Sequence, residues 1–138
     1  MPLVRIDVQA GRTPAALRLM ADTVQEVMLD VFAAPAGDRY QIITEHPVGH
    51  IIAEDTGLGF ERSADVTVIQ IFQQGRSDEQ KRAAYRELAS RLQSRCGLAP
   101  TDLIISVVAN GPQDWSFGLG RAQFLEGDLQ SGGPALHD

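Results

Sequence analysis

The residue with the most obvious chemical potential in this sequence is Pro2, which directly follows Met1. Initiator methionine is normally removed before a residue as small as proline, and its removal would leave a secondary amine at the start of the chain. A primary α-amine titrates at about 7.7–8.0, so burial or a neighbouring charge would decide whether Pro2 acts as acid, base or nucleophile. The dipeptide by itself favours a structural interpretation, because proline is tolerated at the first residue of a strand.

Asp38 and Arg76 are the charged residues that the chain would bring to Pro2. A strand–helix–strand unit has parallel strands, so Asp38, ahead of the second strand, is expected at the same sheet edge as Pro2. If two such units are related by a pseudo-twofold axis, their first strands run antiparallel and residues 73–76 also approach Pro2. An amine, a carboxylate and a guanidinium would then meet at one edge.

Asp38 and Arg76 also have a structural interpretation, which comes from their equivalents in an internal repeat. Asp102 stands where Asp38 stands, and Arg12 stands where Arg76 stands, yet Val66 carries no counterpart of the Pro2 amine. On spacing alone, a turn-capping role for Asp38 and a helix-leading role for Arg76 are favoured.

The elements that would position these residues follow from that repeat. The chain aligns with itself without a gap at an offset of 64 residues, which places Gly75-Arg76-Ser77 on Gly11-Arg12-Thr13. Each copy has the hydrophobic pattern of a strand, a helix and a second strand. The prediction is an α/β fold, or α+β in some schemes, in which a tandem β-α-β repeat forms a four-stranded mixed sheet with two helices on one face.

In copy one, the alternation from Val4 to Val8 predicts a strand. Thr13-Pro14 supplies a helix cap followed by proline at the first helical position, and the helix should extend to about Phe32. Residues 40–44 then predict the second strand.

In copy two, residues 66–72 and 103–108 predict the strands, and Ser77-Asp78-Glu79-Gln80 has the form of a capping box. Gly97 and Pro100 should end the helix. The apolar residues assigned to its buried face are Tyr85, Leu88 and Leu92.

These parts fit one domain over residues 1–130. Its divisions are copy one at about 2–45, a connecting segment at 46–65, copy two at about 66–109 and a C-terminal segment at 110–130. The Gly132-Gly133-Pro134 stretch predicts disorder for residues 131–138.

Composition excludes several classes of protein. The formal net charge of −6 over 138 residues, without a basic cluster, argues against a nucleic-acid surface. No apolar run approaches the roughly 20 residues of a membrane span, and the start lacks a signal-peptide pattern. Cys96 is the only cysteine, which suits a reducing cytoplasm, and His46, His50 and His137 have no metal-binding spacing.

Several separated motifs in order closely resemble the malonate semialdehyde decarboxylase group of the tautomerase superfamily. The resemblance extends to about Leu129. The motifs are Pro2 behind Met1, Asp38-Arg39-Tyr40-Gln41, Glu54-Asp55-Thr56-Gly57-Leu58-Gly59, Arg76-Ser77-Asp78-Glu79-Gln80-Lys81 and Asp114-Trp115-Ser116-Phe117-Gly118.

The resemblance implies a homotrimer that acts on a small carboxylate substrate without a metal or organic cofactor. It makes Pro2 and Asp38 catalytic, and it makes Arg76 both catalytic and substrate-binding through a bidentate contact. It also implies an apolar wall against the substrate, formed by Trp115, Phe117, Phe124 and Leu129. Better-known members have an Arg-x-Arg pair, whereas this chain has Gln74-Gly75-Arg76, so Gln74 replaces one of two substrate-binding cations.

Three functions remain open. A decarboxylase with hydratase side activity needs a protonated Pro2, which is the favoured form because Asp38 should lie nearer to it than Arg76. A keto–enol tautomerase of a 2-oxo acid needs Pro2 neutral, as a general base. A non-catalytic, cytokine-like binding trimer needs no reactive amine.

Overall fold

The structure is a computed structural model, and it describes residues 2–129. The expectations for Met1 and for residues 131–138 lie outside that range. Its main elements are β1 (Leu3–Gln9), α1 (Pro14–Val31), β2 (Tyr40–His46), β3 (Thr67–Gln74), α2 (Asp78–Cys96) and β4 (Leu103–Asn110).

The strands form one sheet in the order β2-β1-β3-β4. Pairing is parallel within each copy, between β1 and β2 and between β3 and β4, and antiparallel where β1 meets β3. The predicted four-stranded mixed sheet is therefore confirmed, and the antiparallel pair gives the two copies opposite directions.

Equivalent caps begin the two long helices. Thr13 Oγ1 accepts a hydrogen bond from the Ala16 amide at 3.1 Å, and Pro14 follows as the first residue of α1. Ser77 and Gln80 form the predicted capping box of α2, in which each side chain accepts from the other residue's backbone amide. Gly97 ends α2 in the left-handed conformation, at φ 68°, which glycine adopts without steric cost.

Both helices cover the same face of the sheet. Alternate residues of β1 and β3 point into this core, because side chains on a strand alternate between its faces. The largest fully buried apolar side chains are Val4, Val8, Ile6, Met20, Met28, Phe32, Ile69, Ile71, Leu88 and Leu92. Tyr85 was predicted on the buried face of α2 but is exposed, whereas Ala84, one residue earlier, is buried and continues the four-residue spacing to Leu88.

The other face of the sheet carries exposed apolar side chains. Ile42 on β2 is 45% exposed and Val108 on β4 is 43% exposed. β3 and β4 each extend two residues beyond the predicted ends, to Gln74 and Asn110, which places Gln73 and Gln74 inside a strand.

The chain continues past β4 through a short 3₁₀ helix (Pro112–Asp114) and the four-residue helix α3 (Gln123–Glu126). No helix within residues 2–129 combines the length and apolar character needed to cross a membrane.

Candidate active site

The start of β1 lies where three segments of the chain converge. Leu3 pairs with Tyr40 of the parallel strand β2 and with Phe72 of the antiparallel strand β3. Continuing the antiparallel register by one residue places Pro2 opposite Gln73. Asp38 precedes β2 by two residues, so the predicted meeting of both copies at the Pro2 edge is what the register produces.

Arg76 is held in place by main-chain carbonyls. Its Nε donates to the Phe32 carbonyl at 3.0 Å, and its Nη1 donates to the carbonyls of Gln74 at 3.2 Å and Gly75 at 3.0 Å. The guanidinium also lies 5.9 Å from the centre of the Phe32 ring, within cation–π range. These contacts connect the end of α1 to the end of β3. Nη2 donates to none of these main-chain carbonyls.

Gln73 links Arg76 to Pro2. Its side chain is 1% exposed. With Oε1 accepting from Nη1 of Arg76 at 3.2 Å and from Nη2 at 3.0 Å, Nε2 lies 3.3 Å from the Pro2 nitrogen. In the opposite orientation the Gln73 NH₂ group would face the Arg76 guanidinium, and neither group has an acceptor to offer the other. The Gln73 amide therefore lies between the Arg76 guanidinium and the Pro2 nitrogen.

Asp38 is a buried carboxyl group, with 6% of its surface exposed. Burial raises its pKa, because a carboxylate loses hydration in the protein interior, while the positive charges of the amino terminus and of Arg76 oppose that rise. Burial in turn lowers the pKa of Arg76, and Asp38 counteracts that change. The two side chains are thus close enough to influence each other's charge.

Asp38 opens onto a cavity of about 340 Å³. The cavity is lined by the loop before β2 and by the C-terminal segment: Pro35, Ala36, Gly37, Asp38, Tyr40, Phe117 and Leu129. An adjoining cavity of about 420 Å³ shares Tyr40 and Phe117 and also includes Leu3, Phe72 and Trp115. Both volumes are large enough for a small organic acid.

Three of the four residues predicted to form an apolar wall, Trp115, Phe117 and Phe124, belong to an aromatic cluster centred on Phe117. Its ring stacks on Trp115 at 5.3 Å between centroids, tilts against Tyr40 at 5.5 Å and meets Phe124 edge-on at 5.5 Å. The Trp115 indole N–H donates to Asn110 Oδ1 at 2.9 Å, which anchors the wall to the end of β4. Phe117 and Leu129 line the Asp38 cavity and Trp115 lines its neighbour, whereas Phe124 lines neither and supports Phe117 from behind.

Gln74 is fully buried, and neither atom of its side-chain amide has a hydrogen-bond partner among the described residues. It lines neither of these cavities. A buried amide without partners costs about 1–3 kcal/mol, so such a group is a candidate for contact with a polar ligand.

The equivalent residues of copy two are satisfied by the connecting segment. Asp102 accepts from the backbone amide of Ser63 at 2.7 Å and from its hydroxyl at 2.5 Å. Arg12 Nη2 donates to the carbonyl of Asp65 at 3.0 Å. The structural interpretation therefore fits Asp102 and Arg12, at the opposite end of the sheet.

Sequence reasoning missed two parts of this arrangement, the Gln73 amide bridge and the place of Tyr40 in the wall. The register signal for Gln73 was present, since antiparallel first strands bring residue 73 to Pro2, but the direction of an amide depends on the partners it finds. Within residues 2–129 no cluster of three or more His, Cys, Asp or Glu side chains is arranged to hold a metal ion.

Comparisons with known proteins agree on one family. Two family profiles, each described as tautomerase enzyme, match residues 38–118 and 2–61. The probable tautomerase YrdN of Bacillus subtilis (strain 168) is 50% identical over 129 residues, which cover 94% of this chain and 100% of YrdN.

Two solved structures extend the comparison. A malonate semialdehyde decarboxylase, described as having decarboxylase and hydratase activities, matches with a TM-score of 0.88 and 43% identity over 92% of this chain and 98% of its own. A wild-type fused 4-OT symmetric trimer matches in fold, with a TM-score of 0.75 and 19% identity over 91% of this chain and 98% of its own.

Proposed function

This chain belongs to the tautomerase superfamily, within its malonate semialdehyde decarboxylase group, and on that premise we propose that it is a cofactor-independent decarboxylase of a small 3-oxo acid. The proposed reaction converts malonate semialdehyde to acetaldehyde and carbon dioxide. The proposed catalytic group is the Pro2 amine that removal of Met1 would expose.

The difference between the two copies carries this proposal. In copy two, the carbonyl of Asp65 accepts a hydrogen bond from Arg12. At the repeat offset of 64 residues, Asp65 corresponds to Met1 and Arg12 to Arg76. Removal of Met1 would therefore leave open, beside Arg76, the position that corresponds to the Asp65 carbonyl beside Arg12. A substrate oxygen is the natural replacement for the missing carbonyl.

The chemistry would use Pro2 as an electron sink. The amine adds to the aldehyde carbon and loses water to form an iminium. The bond between C2 and the carboxylate then breaks, carbon dioxide leaves, and the electron pair passes through an enamine to the Pro2 nitrogen. Protonation at carbon and hydrolysis release acetaldehyde and regenerate the amine. In the non-covalent alternative, a protonated Pro2 donates a hydrogen bond to the carbonyl oxygen and stabilises the negative charge that develops there as carbon dioxide leaves.

Arg76 would bind the substrate carboxylate through Nη2. The sequence suggested a bidentate contact, but Nε and Nη1 already donate to three carbonyls and Nη2 donates one of its two N–H groups to Gln73 Oε1. This arrangement favours a contact through the second N–H of Nη2. The Gln74 amide, which lacks partners among the described residues, would offer a neutral contact in place of the second arginine. The wall of Trp115, Phe117 and Leu129, supported by Phe124, would remove water from the carboxylate, which favours its loss as neutral carbon dioxide.

Two further features belong to the proposal. Asp38 would polarise a water molecule, which gives hydratase side activity on an acetylenic or halogenated acrylate. A homotrimer is supported by the exposed apolar side chains on the uncovered sheet face, such as Ile42 and Val108, and by the trimeric relative of the same fold.

The second candidate is a keto–enol tautomerase of a 2-oxo acid, with Pro2 as general base. The specific observation in its favour is the Gln73 Nε2 atom 3.3 Å from the Pro2 nitrogen, since an N–H directed at an amine favours its neutral form. The tautomerase description of YrdN agrees with it.

The test is to mix the protein with malonate semialdehyde and follow acetaldehyde. Arg76→Ala and a chain extended by one residue ahead of Pro2 should each lose at least about 100-fold in kcat/KM, since each removes a charge or a reactive group worth about 3 kcal/mol in the transition state. Leu58→Ala, at an exposed position in the connecting segment, serves as the control and should keep wild-type activity. Equal rates in all four proteins would reject the decarboxylase and leave the tautomerase and the binding trimer.

A further inference from the structure

We propose that a cavity at the opposite end of the molecule from Pro2 binds a short aliphatic carboxylate, with Arg12 as the cation that holds the carboxylate group. The cavity has a volume of about 330 Å³ and lies between the start of α1 and the end of α2. Among the described residues, none lines both this cavity and either cavity of the candidate active site. Binding there is independent of the proposed function, because it uses neither Pro2 nor the aromatic wall.

The internal repeat explains why copy two has this cavity. At the offset of 64 residues, Cys96 corresponds to Phe32, which is fully buried and whose ring centre lies 5.9 Å from the Arg76 guanidinium. Cysteine is much smaller than phenylalanine, so the space that a ring fills beside Arg76 is left open beside Arg12. Cys96 and Arg12 both line the cavity.

Arg12 has hydrogen-bond donors that its structural contacts do not use. Its Nη2 donates to the Asp65 carbonyl at 3.0 Å and lies 3.5 Å from Thr67 Oγ1. In contrast to Arg76, whose Nε and Nη1 donate to three carbonyls, Arg12 has no partner for Nε or Nη1 within residues 2–129. A guanidinium has five N–H groups, so Arg12 keeps donors for an oxyanion while it holds the main chain.

Two other charged residues line the cavity, Arg95 and Asp65. Arg95 is already paired, since its Nη2 donates to Glu26 Oε1 at 2.7 Å. The Asp65 side chain is exposed, so water and salt screen its repulsion of an anion. Arg12 is therefore the cation with donors available to a ligand.

The Cys96 thiol lies within the field of both arginines. Burial raises the pKa of the thiol, while a hydrogen bond with Thr23 and the positive charges of Arg12 and Arg95 oppose that rise. A group that reacts at the sulfur atom therefore comes close to the proposed carboxylate site.

The remaining lining determines the class of ligand. Ala16, Leu19 and Met20 contribute from α1, and Leu98 contributes from the chain just after α2. Met20 and Leu98 are at most 2% exposed, so their surfaces belong to the protein interior. A ligand with one oxyanion and a short apolar body matches one available cation and this lining, whereas inorganic phosphate would match the cation alone.

Cys96 can report on the site because it is the only cysteine in the chain. The experiment compares its alkylation by iodoacetate, which carries a carboxylate, with its alkylation by the neutral analogue iodoacetamide. Peptide mapping by mass spectrometry distinguishes Cys96 from other nucleophiles, and the ratio of the two rates cancels the fraction of thiolate. The ratio of iodoacetate to iodoacetamide rates should be about 10-fold higher than for free cysteine, because Arg12 attracts the carboxylate.

Variants of two arginines test the assignment to Arg12. Arg12→Gln removes the charge and should bring the ratio to within about twofold of the free-cysteine value. Arg18→Gln is the matched control, because Arg18 lies on α1 outside the cavity and pairs with Asp22. It should keep the wild-type ratio.

A competition experiment on the wild-type protein tests the ligand class. Butyrate should slow alkylation of Cys96 by iodoacetamide, whereas butyramide with sodium chloride at the same ionic strength should not. Equal effects of butyrate and butyramide would overturn the proposal, and so would a wild-type ratio equal to that of free cysteine. These measurements decide the matter without a variant, since loss of the contact with the Asp65 carbonyl could unfold Arg12→Gln. An Arg12→Gln protein with a native circular dichroism spectrum and the wild-type ratio would also overturn it.

Discussion

At the residue scale, the candidate site contains two ionisable side chains that the protein holds away from water. Asp38 and Arg76 are both below 10% exposed. Burial raises the pKa of Asp38 and lowers the pKa of Arg76, and each change favours the neutral form of the side chain. Such burial costs stability, which proteins commonly accept at functional sites.

The cost at Asp38 leads to a prediction about stability. Because the pKa of Asp38 is raised in the folded state, folding favours its protonated form, and stability is lost as the pH rises through that pKa. Asp38→Asn cannot ionise and should escape this loss. It should be more stable than wild type at pH 7.5, with the difference shrinking as the pH approaches about 4, near the unfolded value for aspartate.

Thermal unfolding at several pH values measures this effect. Asp65→Asn is the control, because Asp65 is exposed and contributes its backbone carbonyl to Arg12. A difference between Asp38→Asn and wild type that is the same at pH 4 and pH 7.5 would contradict the prediction.

The residues that approach Pro2 could be predicted from topology, because parallel and antiparallel pairing determine which strand ends meet. The partners of Arg76 could not. Whether a guanidinium binds carbonyls, an amide or a ligand depends on side-chain conformation after packing, and spacing along the chain does not carry that information. The same limit applies to Tyr85, which helical periodicity assigned to the core but which the structure leaves exposed while Ala84 is buried.

At the scale of elements, α2 both supports the core and positions the site. Its N-cap Ser77 directly follows Arg76, so the first turn of α2 determines where the loop after β3 ends. The start of α1 has the equivalent cap, Thr13, at the opposite end of the sheet.

Ser77→Ala should therefore lower the free energy of unfolding by about 1 kcal/mol, through loss of the cap, and should also raise KM, because Arg76 loses its fixed position. Thr13→Ala should lower stability by a similar amount and leave KM unchanged. Denaturant unfolding and steady-state kinetics on the two variants test this. Equal KM values for Ser77→Ala and Thr13→Ala would show that the α2 cap does not affect substrate binding, which would contradict the prediction.

The elements themselves were largely predictable from the sequence, since capping residues, the αL glycine and hydrophobic periods act locally. The strand ends were less so. The predicted strands ended at residues 72 and 108, but β3 and β4 continue to Gln74 and Asn110. Pairing between these two strands keeps their polar last residues in strand conformation, although local propensity would assign those residues to loops.

At the scale of the whole molecule, the sheet has one covered face and one apolar face that the described residues leave exposed. Ile42 and Val108 lie on that face, on the two outer strands. Exposed apolar side chains on an uncovered sheet face are typical of a surface that binds another subunit.

A charge introduced there should prevent association. Ile42→Lys should shift the protein from trimer to monomer at micromolar concentration, because an unpaired ammonium buried in an interface costs several kcal/mol. Leu19→Lys, which replaces a similarly exposed residue on α1, should not. Light scattering after size-exclusion chromatography gives the mass directly. An unchanged trimer mass for Ile42→Lys would show that this sheet face is not an interface.

The hydrogen bond from Arg12 to the Asp65 carbonyl bears on the number of sites that a reagent can label. In copy two the main chain continues from Asp65 into Val66 and occupies Arg12, so only the proposed Pro2 amine remains, and each polypeptide should consume a single equivalent of an irreversible reagent directed at an amine beside an arginine. A second equivalent would become possible only if the backbone were cut just after Asp65 and Val66 were changed to proline, since that cut would create a second reactive terminus beside Arg12.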